Sequence, residues 1–370
     1  MHIAITGASG FVGRNLRWRL KERGHDDVRL ISHRASDSEL IEQLQGLQFV
    51  FHLAGVNRPQ DPGEFEDGNA DFSLRLCAIL GSLPNPPALA FASSIQALLD
   101  NSYGRSKRAA EEALQHYGRQ CRVPVHLFRL TNVFGKWCRP NYNSVVATFC
   151  HNIARGMAVT VNDPNGPLCL VYIDDVVDLM LALLDKPLAP GGFVEVQPTY
   201  DTTVGELAAT LQGFRDTRSN LLTDRVGTGL TRALYATYVS HLPAEAFAYE
   251  VPRHADPRGV FVEMLKTPDC GQFSYFTAGP GITRGEHYHH TKSEKFLVIK
   301  GKARFGFRQI DSGETHELVT CGGEATIVET IPGWTHNITN IGEDELLVMV
   351  WVNEIFDRQR PDTISMKVNQ

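Results

Sequence analysis

From the N-terminus, short apolar runs alternate with stretches in which apolar residues recur every three or four positions. Residues 2–5, 28–31, 49–53, 88–92 and 125–128 predict strands. Between them, Leu16 with Leu20, and Leu76 with Ile79 and Leu80, mark single apolar faces at helical spacing, and residues 103–117 are rich in Ala, Glu, Lys and Arg. Strand–helix alternation of this kind predicts βαβ units and a parallel sheet. Residues 179–184 continue the helical theme, and Thr203 with Glu206 ahead of Leu207 predicts a capping box opening a late helix. After about residue 245 the texture changes. Glu250-Val251-Pro252-Arg253 reads as a boundary, and the β-rich runs 261–265, 273–276, 295–299, 303–307, 325–328 and 346–352 alternate with Gly- and Pro-bearing turns, the pattern of a small antiparallel barrel. Two domains are expected, residues 1–250 and 251–370.

Composition narrows the function classes. With 42% hydrophobic and 21% charged residues the chain reads as globular and soluble. A net charge of -6 without a basic stripe offers no footprint for nucleic acid. No apolar run approaches the roughly 20 residues of a spanning helix, and the first expected strand leaves no room for a leader, so no membrane and a cytoplasmic location are expected. Seven scattered cysteines, odd in number and without a CxxC, predict reduced thiols.

Thr6-Gly7-Ala8-Ser9-Gly10-Phe11-Val12-Gly13 follows the first strand and opens the first helix, where backbone amides can receive a pyrophosphate. After the second strand, Ser32-His33-Arg34 replaces the acid that would bind a ribose 2′-hydroxyl, and a cation there favours the 2′-phosphate of NADP. Gly7, Gly10, Phe11, Val12, Gly13, His33, Arg34, Leu53, Ala54 and Gly55, together with Lys107, form the candidate cofactor-binding set. Tyr103 and Lys107 are four apart on one helix face, so the ammonium can stabilise the phenolate while Tyr103 exchanges a proton with a substrate oxygen. Ser94, ending the preceding strand, is placed to hydrogen-bond the same oxygen. Tyr103, Lys107 and Ser94 are therefore the catalytic candidates.

With His52-Leu53-Ala54-Gly55, the stretch from Arg129 to Gly135 and Tyr172-Ile173-Asp174-Asp175, residues 1 to about 240 resemble the extended short-chain dehydrogenase/reductases, in their nucleotide-sugar branch. The resemblance implies a Rossmann-type, doubly wound parallel sheet, NAD(P), and a UDP- or dTDP-linked hexose. The 4,6-dehydratases of that family carry an Asp-Glu pair after the serine or threonine, whereas this chain has Ser93-Ser94-Ile95-Gln96. Dehydration thus lacks its acid and base, and a reductase or epimerase is expected.

In the C-terminal part, Gly281 is followed after five residues by His287-Tyr288-His289, after four more by Glu294, and after six more by Gly301, with His336 further on. His287 and His289 are two apart and on a strand would share a face, where a carboxylate and a third imidazole complete a first-row metal site. This spacing matches the first cupin motif, and Gly333, His336 and Asn340 match the end of the second, so residues 253–370 resemble an all-β cupin barrel. Pro332 directly before Gly333 departs from the pattern. Asp256-Pro257-Arg258-Gly259 and Arg284-Gly285-Glu286-His287 also resemble the sugar-nucleotide 3,5-epimerases, metal-free enzymes in which the residue matching His287 removes the proton. Those enzymes commonly have Gln where this chain has His289, which favours ligation by His287, His289, Glu294 and His336. Zinc (Zn2+) suits chemistry that needs Lewis acidity and no redox step. The base stays open among Tyr288, His290, Lys292, Lys295 and His254; strand alternation turns Tyr288 and His290 away, and the two lysines read as solvated. Arg258 and Arg284 suit a diphosphate.

A proton-abstracting barrel and an NADPH-dependent reductase share one logical substrate, a nucleotide-linked 4-keto-6-deoxyhexose. The ketone makes the C3 hydrogen labile, so epimerisation must precede reduction. From end to end the chain resembles a family of bifunctional capsular-polysaccharide enzymes, most closely from Phe134 to Ser144 and from His287 to Phe296. That resemblance implies C3 epimerisation of a UDP-2-acetamido-2,6-dideoxy-4-keto-hexose in a zinc-bearing cupin half. It further implies C4 reduction with NADPH to UDP-2-acetamido-2,6-dideoxy-L-talose, a place on a capsule or O-antigen route to N-acetyl-L-fucosamine, and a homodimer. The alternative reading is a 4-keto sugar-nucleotide reductase whose barrel is only a structural or dimerisation module.

Overall fold

Continuous apolar runs become buried strands. In the computed structural model, which describes residues 1–57, 66–186, 189–256, 259–262, 265, 271–354 and 359–369, the first two-thirds of the chain holds β1 (Ile3–Thr6), α1 (Phe11–Glu22), β2 (Val28–Ile31), α2 (Asp37–Leu44), β3 (Phe49–His52), α3 (Phe72–Ser82), β4 (Ala88–Ser94), α4 (Ser102–Cys121), β5 (Val125–Leu130), β6 (Asn132–Phe134), α5 (Val145–Ala154), β7 (Pro167–Tyr172), α6 (Ile173–Asp185), β8 (Gly192–Val194), β9 (Thr199–Thr203), α7 (Val204–Asn220) and α8 (Gly229–Ser240). After these come β10 (Ala248–Glu250), β11 (Arg253–Asp256), β12 (Gly259–Val262), β13 (Gln272–Ala278), β14 (Thr283–Tyr288), β15 (Glu294–Lys300), β16 (Lys302–Gln309), β17 (Thr315–Cys321), β18 (Thr326–Glu329), β19 (Trp334–Asn340), β20 (Leu346–Val352) and β21 (Ile364–Ser365). No helix among the described residues is long and apolar enough to cross a membrane.

By packing, the chain divides into two units that interleave in sequence. The first is Met1–Phe134 with Tyr142–Ser144 and Leu168–Asp201; the second is Gly135–Asn141 with Val145–Pro167 and Thr202–Gln370.

In the first unit a six-stranded sheet runs in the order β2-β1-β3-β4-β5-β8, every pairing parallel. All four residues of β1 and all four of β3 are buried, as both faces of a parallel sheet require. The order reverses at β1, and the crevice between the carboxyl ends of β1 and β3 is the switch point where such sheets bind ligands. One core joins Leu40 and Leu44 of α2, Leu76, Ile79 and Leu80 of α3, and Leu114 and Tyr117 of α4 to the sheet. The helix α4 begins at Asn101, whose side chain accepts from the Gly104 N–H at 2.7 Å, a cap that fixes where Tyr103 and Lys107 start.

In the second unit two five-stranded sheets run β10-β18-β15-β20-β13 and β17-β16-β19-β14-β21, with antiparallel ladders throughout the recorded pairings. Their inner faces meet through Phe296 of β15 and Phe305 of β16, ring centroids 5.8 Å apart, so this is a cupin-like β domain. The capping box predicted at Thr203 is formed: its hydroxyl accepts from Glu206 N–H while the Glu206 carboxylate accepts from Thr203 N–H. That helix, α7, packs with α5 and α8 in this unit. A buried charge network binds the helices to the strands. The Glu329 carboxylate accepts from Lys295 Nζ at 2.5 Å, Arg218 Nη2 at 2.6 Å and the Tyr235 hydroxyl at 2.9 Å. Burial would push this carboxyl up, but the two cations hold it down at about 2. Lys295 therefore differs from its expected solvated state. It is 1% exposed because a buried carboxylate neutralises it.

Candidate functional site

The glycine turn after β1 has steric reasons for its composition. Gly7 sits at φ +69°, and a Cβ there would lie 2.6 Å from the Ala54 nitrogen; a Cβ on Gly13 would lie 2.2 Å from the Gly7 oxygen. Only bare backbone lets β1, α1 and the end of β3 come together. Gly10 caps α1 without a side-chain bond, and no acid occupies the first turn, so the amides around Phe11, Val12 and Gly13 open toward an anion. That cradle fits a dinucleotide pyrophosphate. The Thr6 hydroxyl accepts from the Leu53 and Ala54 N–H groups at 3.1 and 3.2 Å and lies 2.7 Å from His52 Nδ1. The other His52 nitrogen lies 2.9 Å from Ser73 Oγ, whose proton goes to the Asn69 carbonyl. Since Ser73 donates elsewhere, His52 Nε2–H donates to it and Nδ1 accepts from Thr6. Burial and the nearby Lys107 charge push His52 down to about 3, which keeps it neutral. Thr6, His52 and Asn69 thus lock the crevice. Asn69, whose side chain bridges the Val56 backbone and Ser106, had no motif to mark it. His33 and Arg34 are exposed at the end of β2.

Tyr103, Lys107 and Ser94 converge. The Tyr103 phenol is hydrogen-bonded with Ser94; burial pushes it up to about 12, against the pull of that bond. Lys107 is 4% exposed, donates to the Ala92 carbonyl at 3.1 Å, and holds its ammonium 6.0 Å from the Tyr103 ring. Burial lowers Lys107 to about 8, partly countered by Glu111. A Cβ on Gly55 would lie 2.9 Å from Lys107 Nζ, so this glycine makes room for the ammonium. One helical turn further on, Glu111 accepts from Ser93 Oγ at 2.5 Å and from Arg129 at 3.0 and 2.6 Å, tying α4 to β4 and β5.

In the second unit, His287, His289, Glu294 and His336 bring one ligand atom each within 4.8 Å of one another. The route to this convergence differs from a plain strand face. β14 bulges between Gly285 and His287, with Glu286 at φ +59°, and ends at Tyr288, so His289 lies just beyond it. Pairing with β19 sets His287 opposite His336, and Glu294 opens β15. His289 Nε2 and His336 Nε2 lie 3.3 and 3.2 Å from the same Glu294 oxygen. Those separations match the edge of roughly 3.3 Å in a tetrahedron with ~2.0 Å metal bonds. The His289 Nδ1–H donates to the Asp362 carbonyl, so Nε2 presents a lone pair toward a carboxylate oxygen, and both atoms are buried without a hydrogen bond. A bound cation would satisfy both atoms, and the set fits a metal. Burial and the neighbouring imidazoles lower His287 to about 3; burial lowers His336 as well, while burial of Glu294 is outweighed by His289 and His336, which hold it well below the usual carboxylate range. Neutral imidazoles and an ionised carboxylate are the ligand forms.

The remaining candidates separate. Tyr288 is fully buried with its ring 5.6 Å from that of His290. Lys292, expected to be solvated, is buried and donates to Thr363 Oγ1 at 2.6 Å. Asp362, which no motif marked, accepts from the N–H groups of His290, Thr291 and Lys292 and thereby shapes the turn after His289. Arg284 is exposed, its guanidinium 5.0 Å from the Phe276 ring. Arg258 and the side chain of His254 lie outside the described residues.

Residues 3–195 match the NAD dependent epimerase/dehydratase family, and residues 254–364 match the polysaccharide biosynthesis C-terminal domain. The chain is 55% identical over 370 residues, all of both chains, to a Pseudomonas aeruginosa protein named UDP-2-acetamido-2,6-beta-L-arabino-hexul-4-ose reductase. Among solved structures, the capsular polysaccharide assembling protein CapF from Staphylococcus aureus is 38% identical with a TM-score of 0.66, covering all of both chains. The Thermus thermophilus UDP-glucose 4-epimerase, solved with NAD, is similar in fold: 20% identity, TM-score 0.52, 58% of this chain and 83% of that one. With its glycine crevice, its Tyr103–Lys107 pair and its cupin-like second unit, the chain belongs to the NAD dependent epimerase/dehydratase family, in the CapF-like branch that carries a polysaccharide biosynthesis C-terminal domain.

Proposed function

We propose that this chain carries out two steps on a UDP-linked 2-acetamido-2,6-dideoxy-4-keto-hexose. The β domain inverts C3, and the N-terminal unit then reduces the C4 ketone with NADPH to UDP-2-acetamido-2,6-dideoxy-L-talose, a step toward a capsular or O-antigen amino sugar. The observation that carries this reading is the coexistence in one chain of the Ser94–Tyr103–Lys107 set and the four-ligand cluster at His287, His289, Glu294 and His336. The relative named as a 4-ulose reductase supports the second step. A soluble, cytoplasmic homodimer accompanies this proposal.

A zinc ion held by His287, His289, Glu294 and His336 would supply Lewis acidity toward a ketone oxygen, which acidifies the neighbouring C–H. The protein's own contribution is to lower the His287 and His336 imidazoles by burial and to fix His289 through its bond to Asp362. Lys295 is consumed by Glu329 and is unsuited to be the base. NADPH would supply the hydride at C4. Tyr103, hydrogen-bonded with Ser94, gives its proton to the C4 oxygen, Ser94 orients that oxygen, and the Lys107 cation stabilises the phenolate left behind.

In deuterated water without NADPH, the keto-sugar nucleotide is expected to take up deuterium at C3 when the protein is present. No uptake with the intact, zinc-loaded protein sinks the epimerase half of the proposal.

Two further outcomes follow from the site's charges. Because burial sets Lys107 at about 8, kcat/KM for NADPH oxidation is expected to fall as pH rises through that value: deprotonation removes the cation that the phenolate needs. A Lys107→Arg variant, charged at every working pH, should lose this fall, and a wild-type profile flat to pH ~9 contradicts the assignment. Arg34→Ala is expected to raise KM for NADPH by about tenfold with little change for NADH. Equal effects on the two cofactors would mean that Arg34 does not read the 2′-phosphate.

A further inference from the structure

The turn between β18 and β19 is bonded to two of the four ligand residues and leads into a third. The Thr330 N–H donates to the Glu294 carbonyl and its hydroxyl accepts from the Glu294 N–H, both at 2.9 Å. Three residues on, the Gly333 N–H donates to the His289 carbonyl, also at 2.9 Å, and the strand carrying His336 starts at Trp334. Gly333 stands at φ +80°, and against it lies the indole of Trp137: a Cβ on Gly333 would meet Trp137 Cζ2 at 3.2 Å and Cε2 and Nε1 at 3.4 Å. Trp137 comes from Gly135–Asn141, a segment that directly follows β6 in the sequence yet packs within the second unit. Its own backbone is at φ +68°, a conformation that a bulky side chain keeps only where its surroundings over-determine it. Lys136 beside it is 1% exposed, its ammonium 5.6 Å from the indole ring.

We infer that Trp137 is a positioning residue for the metal site, seating the Thr330–Gly333 turn so that His289, Glu294 and His336 keep their mutual geometry. The physical reason is close packing. A flat ring pressed on a side-chain-free backbone holds that turn at one height, and the turn's bonds to the His289 and Glu294 backbones transmit the constraint. A segment that directly follows β6 in the sequence thus helps to build the four-ligand centre, which gives Gly135–Asn141 a role in the C-terminal chemistry.

The inference rests on the metal reading, and the test separates the two. Full-length protein is loaded with zinc and titrated against a chromophoric chelator, and a cobalt-loaded sample is read by its visible d–d absorption. Trp137→Ala and Trp137→Leu are expected to weaken zinc about tenfold and to shift the cobalt bands of the metal-saturated protein, whereas Trp137→Phe keeps most of both. General loosening of the fold without a positioning role would leave the saturated cobalt spectrum unchanged. Wild-type zinc affinity and an unchanged cobalt spectrum in Trp137→Leu overturn the inference while leaving the metal site standing, and this variant decides if Trp137→Ala does not fold. Should the wild type hold no more zinc than His289→Ala, the metal reading fails and the inference falls with it.

Discussion

His289→Ala is expected to bring C3 deuterium uptake down to the rate in buffer and to release the zinc, while NADPH still binds. His289 is buried, its Nδ1–H is spent on the Asp362 carbonyl, and its Nε2 lies 3.3 Å from a Glu294 carboxylate oxygen. Removing it deletes one of the four converging ligand atoms. The loss should exceed the ~10–100-fold that changes one layer outside a metal site produce. Zinc content, exchange followed by NMR at C3, and NADPH fluorescence are the three readouts. Reduction of the 4-keto substrate should fall together with exchange, because the ketone must survive until C3 has been inverted. Normal NADPH oxidation on that substrate by metal-free protein would instead make the β domain a structural module.

The complementary result is expected from Tyr103→Phe. The ring is kept, so packing at the start of α4 is preserved, but the phenolic proton and its hydrogen bond with Ser94 are lost. NADPH oxidation should drop about 10²–10⁴-fold, the usual worth of a positioned proton donor. Deuterium uptake at C3 should continue at the wild-type rate, and labelled keto sugar should accumulate. If Tyr103→Phe abolishes uptake as well, the two steps do not reside in separate sites and the assignment of roles is wrong. The two variants together test a division of labour that neither site could establish alone.

Much of this is legible in the amino-acid sequence. The runs at β1, β3, β4 and β5 are apolar because both faces of a parallel sheet are covered, and their positions along the chain agree with the structure within a few residues. Tyr103 and Lys107 are a helical turn apart for a reason that spacing alone conveys. Other elements carried no such signal. In α8 the seven consecutive residues from Ala233 to Val239 are buried, so no apolar stripe exists to be read. The strand β17 alternates exposed and half-buried positions from Thr315 to Val319, carries many polar side chains and does not resemble a core strand. Lys292 and Lys295 look like surface lysines until Thr363 and Glu329 arrive from distant segments to bury them.

By itself, then, the amino-acid sequence determined which chemistries the chain could hold: a glycine turn whose bare backbone suits a pyrophosphate, a phenol and an ammonium on one helix face, and three imidazoles with a carboxylate. Local periodicity and residue type suffice for that, since they depend on neighbours a few positions away. The tertiary structure decided how those groups are set. Asp362 orients His289 from 73 residues away, Glu286 takes a left-handed bulge that re-aims β14, Thr6 and His52 tie β1 to β3, and Trp137 lies against the turn that leads to His336. The Asp362, Thr6–His52 and Trp137 contacts join segments far apart in the chain, as does the β14–β19 pairing in which Glu286 bulges, and they exist only once the core has brought those segments together.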